Sequence, residues 1–122
     1  MTETFLYDTY ALIEILNKNP NYDQYTDKEI IINDFIFAEF SYQLIVGKAE
    51  NKEEILDEVE PAIIFPNPEI LKKAMKFRYE NKKKKMSMTD CVSYTMAREM
   101  GVKFLTGDKE FEGLENVEFV KK

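Results

Sequence analysis

The chain has no histidine, no tryptophan and a single cysteine among its 122 residues. Without histidine, the Ser-His and Cys-His nucleophile pairs, the usual general base and most transition-metal sites are excluded. The lone Cys91 excludes an internal disulfide framework and the paired spacing of a zinc site, so a reducing, cytoplasmic setting is expected. No apolar run approaches the roughly 18 residues a membrane span requires, and Met1-Thr2-Glu3-Thr4 lacks the character of a signal sequence. The reading is of a soluble protein with no membrane partner. If it is an enzyme, oxygen ligands and hard cations are its expected means.

Apolar residues make up 44% and charged residues 33%, a balance that suits a folded domain with a heavily charged surface. Residues 1–122 are read as one domain, long enough to bury a core without staples. Net charge is −6, which at first sight disfavours nucleic acid. Its distribution matters more. Between Lys72 and Lys85 eight basic residues face one acid, Glu80, so that segment carries +7 and the remainder −13. A polarised surface of this kind is compatible with a phosphate backbone lying along one side.

Phe5-Leu6-Tyr7 is a short apolar run ended by Asp8, after which Ala11, Leu12, Ile15 and Leu16 recur at helical spacing. Pro20 to Asp27 reads as a loop. Ile30-Ile31-Ile32 is β-branched throughout, as in a parallel strand covered on both faces. Asn33-Asp34 caps a helix from Phe35 to Val46. A helix from Lys52 to Glu60 stops at Pro61, and Ala62 to Phe65 reads as a third strand. A helix from about Glu69 to Asn81 turns Ile70, Leu71, Ala74, Met75 and Phe77 inward. The lysine run is a loop, Met88 to Met100 a helix ended by Gly101, Val102 to Leu105 a fourth strand and Val117 to Val120 a fifth. Alternating strands and helices predict an α/β fold with helices on both faces of a mainly parallel sheet of four to five strands. In such sheets the ligand crevice lies beyond the carboxyl ends of the strands, where Asp8 and Asp108 both fall.

Each conspicuous acid has an ordinary reading beside a functional one. Asp8 suits a helix N-cap, and Asp108 suits a turn. Asp90 follows Ser87 at capping-box spacing. Glu39 is harder to explain, because its helix is apolar nearly all round and its neighbours at three and four residues are Phe35, Ile36, Tyr42 and Gln43. An unpaired ionised group on such a face costs several kcal/mol, so something positive should meet it unless the side chain snorkels to the edge. Glu110 and Glu112 read as surface turn residues. Lys82, Lys83, Lys84 and Lys85 are either solvated surface or RNA contacts. Tyr7, Tyr10, Tyr22 and Tyr25 either stack bases, receive an apolar segment of a partner, or fill core and rim. Cys91 reads as a small buried filler.

In order, Phe5-Leu6-Tyr7-Asp8-Thr9, Phe37-Ala38-Glu39-Phe40, Met86-Ser87-Met88-Thr89-Asp90 and Phe104-Leu105-Thr106-Gly107-Asp108 resemble the PIN-domain ribonucleases, most closely the compact VapC-type toxins. The resemblance spans essentially the whole chain. It implies a three-layer α/β/α PIN-like domain whose acids bind one or two Mg²⁺ or Mn²⁺ ions for RNA hydrolysis. Asp8, Asp90 and Asp108 are then metal ligands and Glu39 a further ligand or orienter of the attacking water, with Thr9 and Thr106 as supporting hydrogen bonders. It further implies products with a 3′-hydroxyl and a 5′-phosphate, an antitoxin protein whose tail fills the acidic groove, and a homodimer.

Three other readings compete. A housekeeping PIN-domain nuclease of RNA processing would lack an adjoining antitoxin. A non-catalytic PIN-fold interaction module would carry its acids as remnants. A phosphatase of the haloacid-dehalogenase type would need a second Asp two residues after Asp8, where this chain has Tyr10.

Overall fold

The computed structural model describes residues 3–122; Met1 and Thr2, part of the stretch read above as no signal sequence, lie outside the described residues. Four strands, β1 (Thr4–Tyr7), β2 (Glu29–Ile31), β3 (Lys103–Thr106) and β4 (Val117–Phe119), form one sheet in the order β2-β1-β3-β4. All three pairings are parallel: Leu6 lies opposite Ile31 on one side and Phe104 on the other, and Leu105 lies opposite Glu118. Phe5, Leu6 and Tyr7 are all buried, with no alternation, because helices cover both faces of β1.

The helices are α1 (Thr9–Leu16), α2 (Asp34–Val46), α3 (Lys52–Val59), α4 (Pro68–Glu80) and α5 (Met88–Met100). Asn33 Oδ1 accepts from the Ile36 amide to start α2, and Asn67 Oδ1 accepts from the Ile70 amide to start α4. The innermost helix is α5, buried without interruption from Cys91 to Ala97. It ends at Gly101, whose φ of 72° is the left-handed conformation that favours glycine at a helix stop. Tyr94 of α5 gathers Phe77, Phe104 and Phe111 at centroid distances of 4.9, 6.3 and 5.6 Å.

Several elements differ from the sequence reading. Ala62 to Phe65 is not a strand. Glu60–Ala62 forms a 3₁₀ turn, and only Ile63 bridges to Ile32 before the chain leaves the sheet. Prolines at 61 and 66 bracket the segment, and Ile64 and Phe65 are 40% and 70% exposed, so no buried face holds a longer strand there. Pro20–Tyr25 is a 3₁₀ turn rather than an open loop, folded around buried Tyr22 and Tyr25. Met75, expected inward on α4, is 37% exposed, whereas Ala74 beside it is fully buried. Among the described residues no helix is long and apolar enough to cross a membrane.

The strand order fixes where a site can form. From β1 the chain moves to β2 on one side, then returns to place β3 on the other, so the direction of winding switches between β1 and β3. A crevice opens beyond the carboxyl ends of two strands at such a switch point. Asp8 directly follows β1 and Gly107-Asp108 directly follows β3.

Candidate active site

Asp8, Glu39, Asp90 and Asp108 line one pocket of about 280 Å³ at that switch point. Each reaches it from a different element, and three of the four also serve the local role expected of their position. Asp8 caps α1, its Oδ1 accepting from the Thr9 amide at 2.8 Å, while its Oδ2 accepts from the Thr106 hydroxyl at 2.7 Å. Asp90 completes a capping box: its amide donates to Ser87 Oγ and its Oδ2 accepts from the Ser87 amide, both at 3.0 Å. Asp108 caps the 3₁₀ turn Lys109–Phe111 through the Glu110 amide. These bonds do not compete with a site. They fix each carboxylate at an element's end and leave it facing the pocket.

Glu39 has no capping role. It projects from the middle of α2, half-buried, and accepts a 3.0 Å bond from the Thr9 hydroxyl. The two threonines thus work in parallel, Thr106 on Asp8 and Thr9 on Glu39. Thr106 Oγ1 also accepts from the Asp108 amide at 3.1 Å, tying both strand-end acids to one hydroxyl. On the far side of Asp108, buried Phe111 inserts against Phe104 at 5.1 Å and anchors the turn. At Gly107 an added Cβ would stand 2.6 Å from the Val120 carbonyl oxygen and 2.7 Å from the Tyr22 hydroxyl, so only glycine lets Asp108 follow β3 so closely.

Among the described residues no ion pair includes any of the four acids. The electrostatic consequence is severe. Asp8 is 4% exposed, and its carboxyl is pushed up from its ordinary 3.8 to about 7, first by burial and then by the charge of Asp90, with Glu39 adding to it. The bonds from Thr106 and Thr9 oppose that shift without cancelling it. Asp90 is raised too, by burial first and by the charges of Asp108 and Glu39.

A divalent cation fits this donor set, since every group offered is a hard oxygen and positive charge is what the cluster lacks. Among the described residues no three carboxylates close into a finished cage.

A fifth acid lines the same pocket and escaped the sequence reading. Glu14 of α1 is buried and accepts from Asn19 Nδ2 at 2.7 Å. Its signal was available: it interrupts the apolar run Ala11 to Leu16 as Glu39 interrupts α2. Glu110 and Glu112 do not line the pocket. Of the tyrosines, Tyr7, Tyr22 and Tyr25 are core residues, and only Tyr10 faces the pocket. Buried Cys91 has its thiol pushed up to about 11, chiefly by burial, and is inert filler beneath Asp90.

The lysine run stands apart. Lys82 and Lys84 line a separate cleft with Arg78 and Tyr79 that shares no residue with the acid pocket. Lys82 sits 4.6 Å over the Tyr79 ring, and Lys84 Nζ donates to the Glu110 carbonyl at 3.1 Å, while Lys83 and Lys85 are exposed.

The sequence pattern of the PIN domain matches residues 5–117. No curated protein sequence matches significantly. Solved structures do. A toxin-antitoxin complex from Klebsiella pneumoniae aligns at a TM-score of 0.79 and 18% identity, covering 93% of this chain and 95% of that one. VapC20 of Mycobacterium tuberculosis, a sarcin-ricin loop cleaving toxin, aligns at 0.73 and 12%, covering 94% and 98%. FitAcB from Neisseria gonorrhoeae aligns at 0.67 and 16%, covering 94% and 96%. At these identities the three share the fold with this chain.

Proposed function

Because the chain belongs to the PIN domain family, we propose that it is a metal-dependent endoribonuclease and the toxin of a toxin-antitoxin pair. One observation carries this reading: four carboxylates from four elements line a single pocket at the sheet's switch point with no cation paired to them among the described residues. Carboxylates gathered this closely repel one another, and a bound cation offsets that repulsion. A toxin-antitoxin complex and an RNA-cleaving toxin among the proteins of the same fold support the class of activity.

In this reading Asp8, Asp90 and Asp108 hold Mg²⁺ or Mn²⁺, and Glu39 holds it as well or orients the water that attacks the phosphodiester. When bound, the cation supplies an activated water at neutral pH and offsets charge on the scissile phosphate, so no histidine is needed. Thr106 keeps Asp8 in its rotamer by donating to Oδ2, and Thr9 does the same for Glu39. Cleavage leaves a 3′-hydroxyl and a 5′-phosphate. The protein acts in the cytoplasm, and an antitoxin and a second copy of the chain are its proposed protein partners. Exposed Tyr42, Ile45 and Val46 on α2, with Phe65 nearby in sequence to the sheet edge, offer apolar surface for such contacts.

The test is RNA cleavage with Mg²⁺ or Mn²⁺ by the native chain and by Asp8→Asn, which retains a capping side chain. Metal-dependent cleavage in the native chain alone is the expected result. Equal cleavage by both proteins, or none by the native chain freed of bound partners, refutes the assignment.

A further inference from the structure

A second cleft, of about 520 Å³, adjoins the acid pocket and shares Tyr10 and Asp108 with it as a common wall. Its remaining lining is of a different character: Phe119 supplies an apolar floor, and Lys109, Lys121 and Lys122 supply three ammonium groups against one carboxylate, Glu112. The volume lies in the range of small-ligand clefts, which are roughly 300–1,000 Å³. A surface that is acidic on one side of a shared wall, and aromatic with basic residues on the other, matches neither a pure cation site nor a pure apolar groove.

The cleft is held in place by the fold. The Val120 amide donates to the Thr106 carbonyl at 3.0 Å, the Tyr22 hydroxyl donates to the Val120 carbonyl at 2.6 Å, and Asn21 Nδ2 donates to the Lys121 carbonyl at 3.3 Å. The segment after β4 is thereby fastened beside Gly107, where no Cβ would fit beneath it. Those bonds keep Lys121 and Lys122 within the wall of the cleft next to Asp108, and Lys109 follows Asp108 directly.

We propose that this cleft binds the nucleotide of single-stranded RNA adjacent to the cleaved phosphodiester, its base stacked on Phe119 or Tyr10 and its phosphate met by Lys109, Lys121 and Lys122. The inference rests on the ribonuclease reading for the acid pocket and assigns the direction in which the substrate leaves it. Aromatic faces accept any base, and ammonium groups neutralise phosphate, so the cleft contributes affinity with little sequence preference. It also provides what the net charge of −6 denies the molecule as a whole: a local positive surface beside a negative pocket.

The experiment measures binding of a fluorescent single-stranded RNA 12-mer by anisotropy across a salt series. All proteins carry Glu39→Gln, which removes cleavage in this reading and leaves the cleft untouched. One variant adds Lys109→Gln, Lys121→Gln and Lys122→Gln; a second removes the same charge elsewhere through Lys82→Gln, Lys83→Gln and Lys85→Gln; a third adds Phe119→Leu. The cleft triple variant is expected to weaken binding about tenfold or more and to reduce the slope of log K against log salt by ~2. Phe119→Leu is expected to weaken binding about fivefold or more with the slope unchanged. Unchanged affinity and slope in the cleft triple, or a larger loss from the lysine-run triple, overturns the proposal. Should the native chain cleave no RNA while the cleft variants still lose binding as stated, the ribonuclease reading falls and the subsite stands.

Discussion

The charges of this protein occupy two contrasting environments. On the outer surface Lys73 meets Glu99 at 2.7 Å, Lys72 meets Glu69 at 3.4 Å, Arg98 meets Glu115 at 3.5 Å and Lys103 meets Glu118 at 3.8 Å. At the switch point Asp8, Glu39, Asp90 and Asp108 share a pocket that no Lys or Arg among the described residues lines. The surface pairs are solvated and contribute little, because water screens them and ordering long side chains costs entropy. Of the pocket acids Asp8 is buried and Glu39, Asp90 and Asp108 are half-buried, and among the described residues none is ion-paired. Charge that a protein keeps where it is costly marks a function, and charge kept where water makes it nearly free does not.

The sharpest way to break this comparison is to neutralise one member of each class. Asp90→Asn preserves the capping box, since an amide oxygen can accept from the Ser87 amide, yet it should lower RNA cleavage by about 10²–10⁴-fold. Lys73→Gln should leave the rate unchanged. Comparable losses in steady-state cleavage assays would erase the distinction.

Next in size is the pH dependence of the metal-free protein. The Asp8 carboxyl, raised from 3.8 to about 7, stays protonated in the folded state over a window in which the unfolded chain has already released its proton. Stability must therefore fall as pH rises from about 4 to about 7, by an amount on the order of a few kcal/mol. Denaturant unfolding at pH 5 and pH 8 measures the fall. Mg²⁺ should restore stability at pH 8, and Asp8→Asn should flatten the dependence while abolishing activity. A metal-free native protein more stable at pH 8 than at pH 5 would contradict the electrostatic account.

A smaller effect is expected at Gly107, where the two strand-end acids depend on close packing. Gly107→Ala pushes a methyl group against the Val120 carbonyl and the Tyr22 hydroxyl and should cost ~1–3 kcal/mol in an unfolding titration. Gly113→Ala is a poor control because its φ is 87°, so the comparison belongs with Gly47→Ala, which has no left-handed backbone. Smallest of all, Glu99→Gln removes the shortest surface pair and should leave the unfolding midpoint nearly unchanged. A larger loss there would show that the surface network matters more than its solvation suggests.

Much of the fold was legible because its signals are local. The unbroken apolar run Phe5 to Tyr7 announced a covered parallel strand, Ile30 to Ile32 announced a parallel strand that is in fact the half-covered edge strand β2 ending at Ile31, and Asn33 and Ser87 by their side chains and Gly101 by its left-handed backbone marked helix ends. Ala62 to Phe65 misled because an apolar run says nothing about whether a sheet edge has room beside it. Beyond the single bridge from Ile63 to Ile32, that segment finds no partner. Glu39 stood out as an acid on an apolar helix, and Glu14 passed unnoticed although its pattern was the same.

What the sequence by itself determined was the order of elements, the ends of the helices and the identity of the acids, since each depends on residues a few positions apart. It could not decide whether Asp8, Asp90 and Asp108 were caps or parts of a site, and tertiary structure makes them caps that line one pocket. The reason is geometric: pairing β1 with β3 sets Thr106 against Asp8 across 98 positions of chain. Only the folded sheet also brings the Lys121-Lys122 segment beside Asp108 and leaves the lysine run in another cleft. Spacing along a chain fixes local geometry, whereas distances between segments follow from which strands pair.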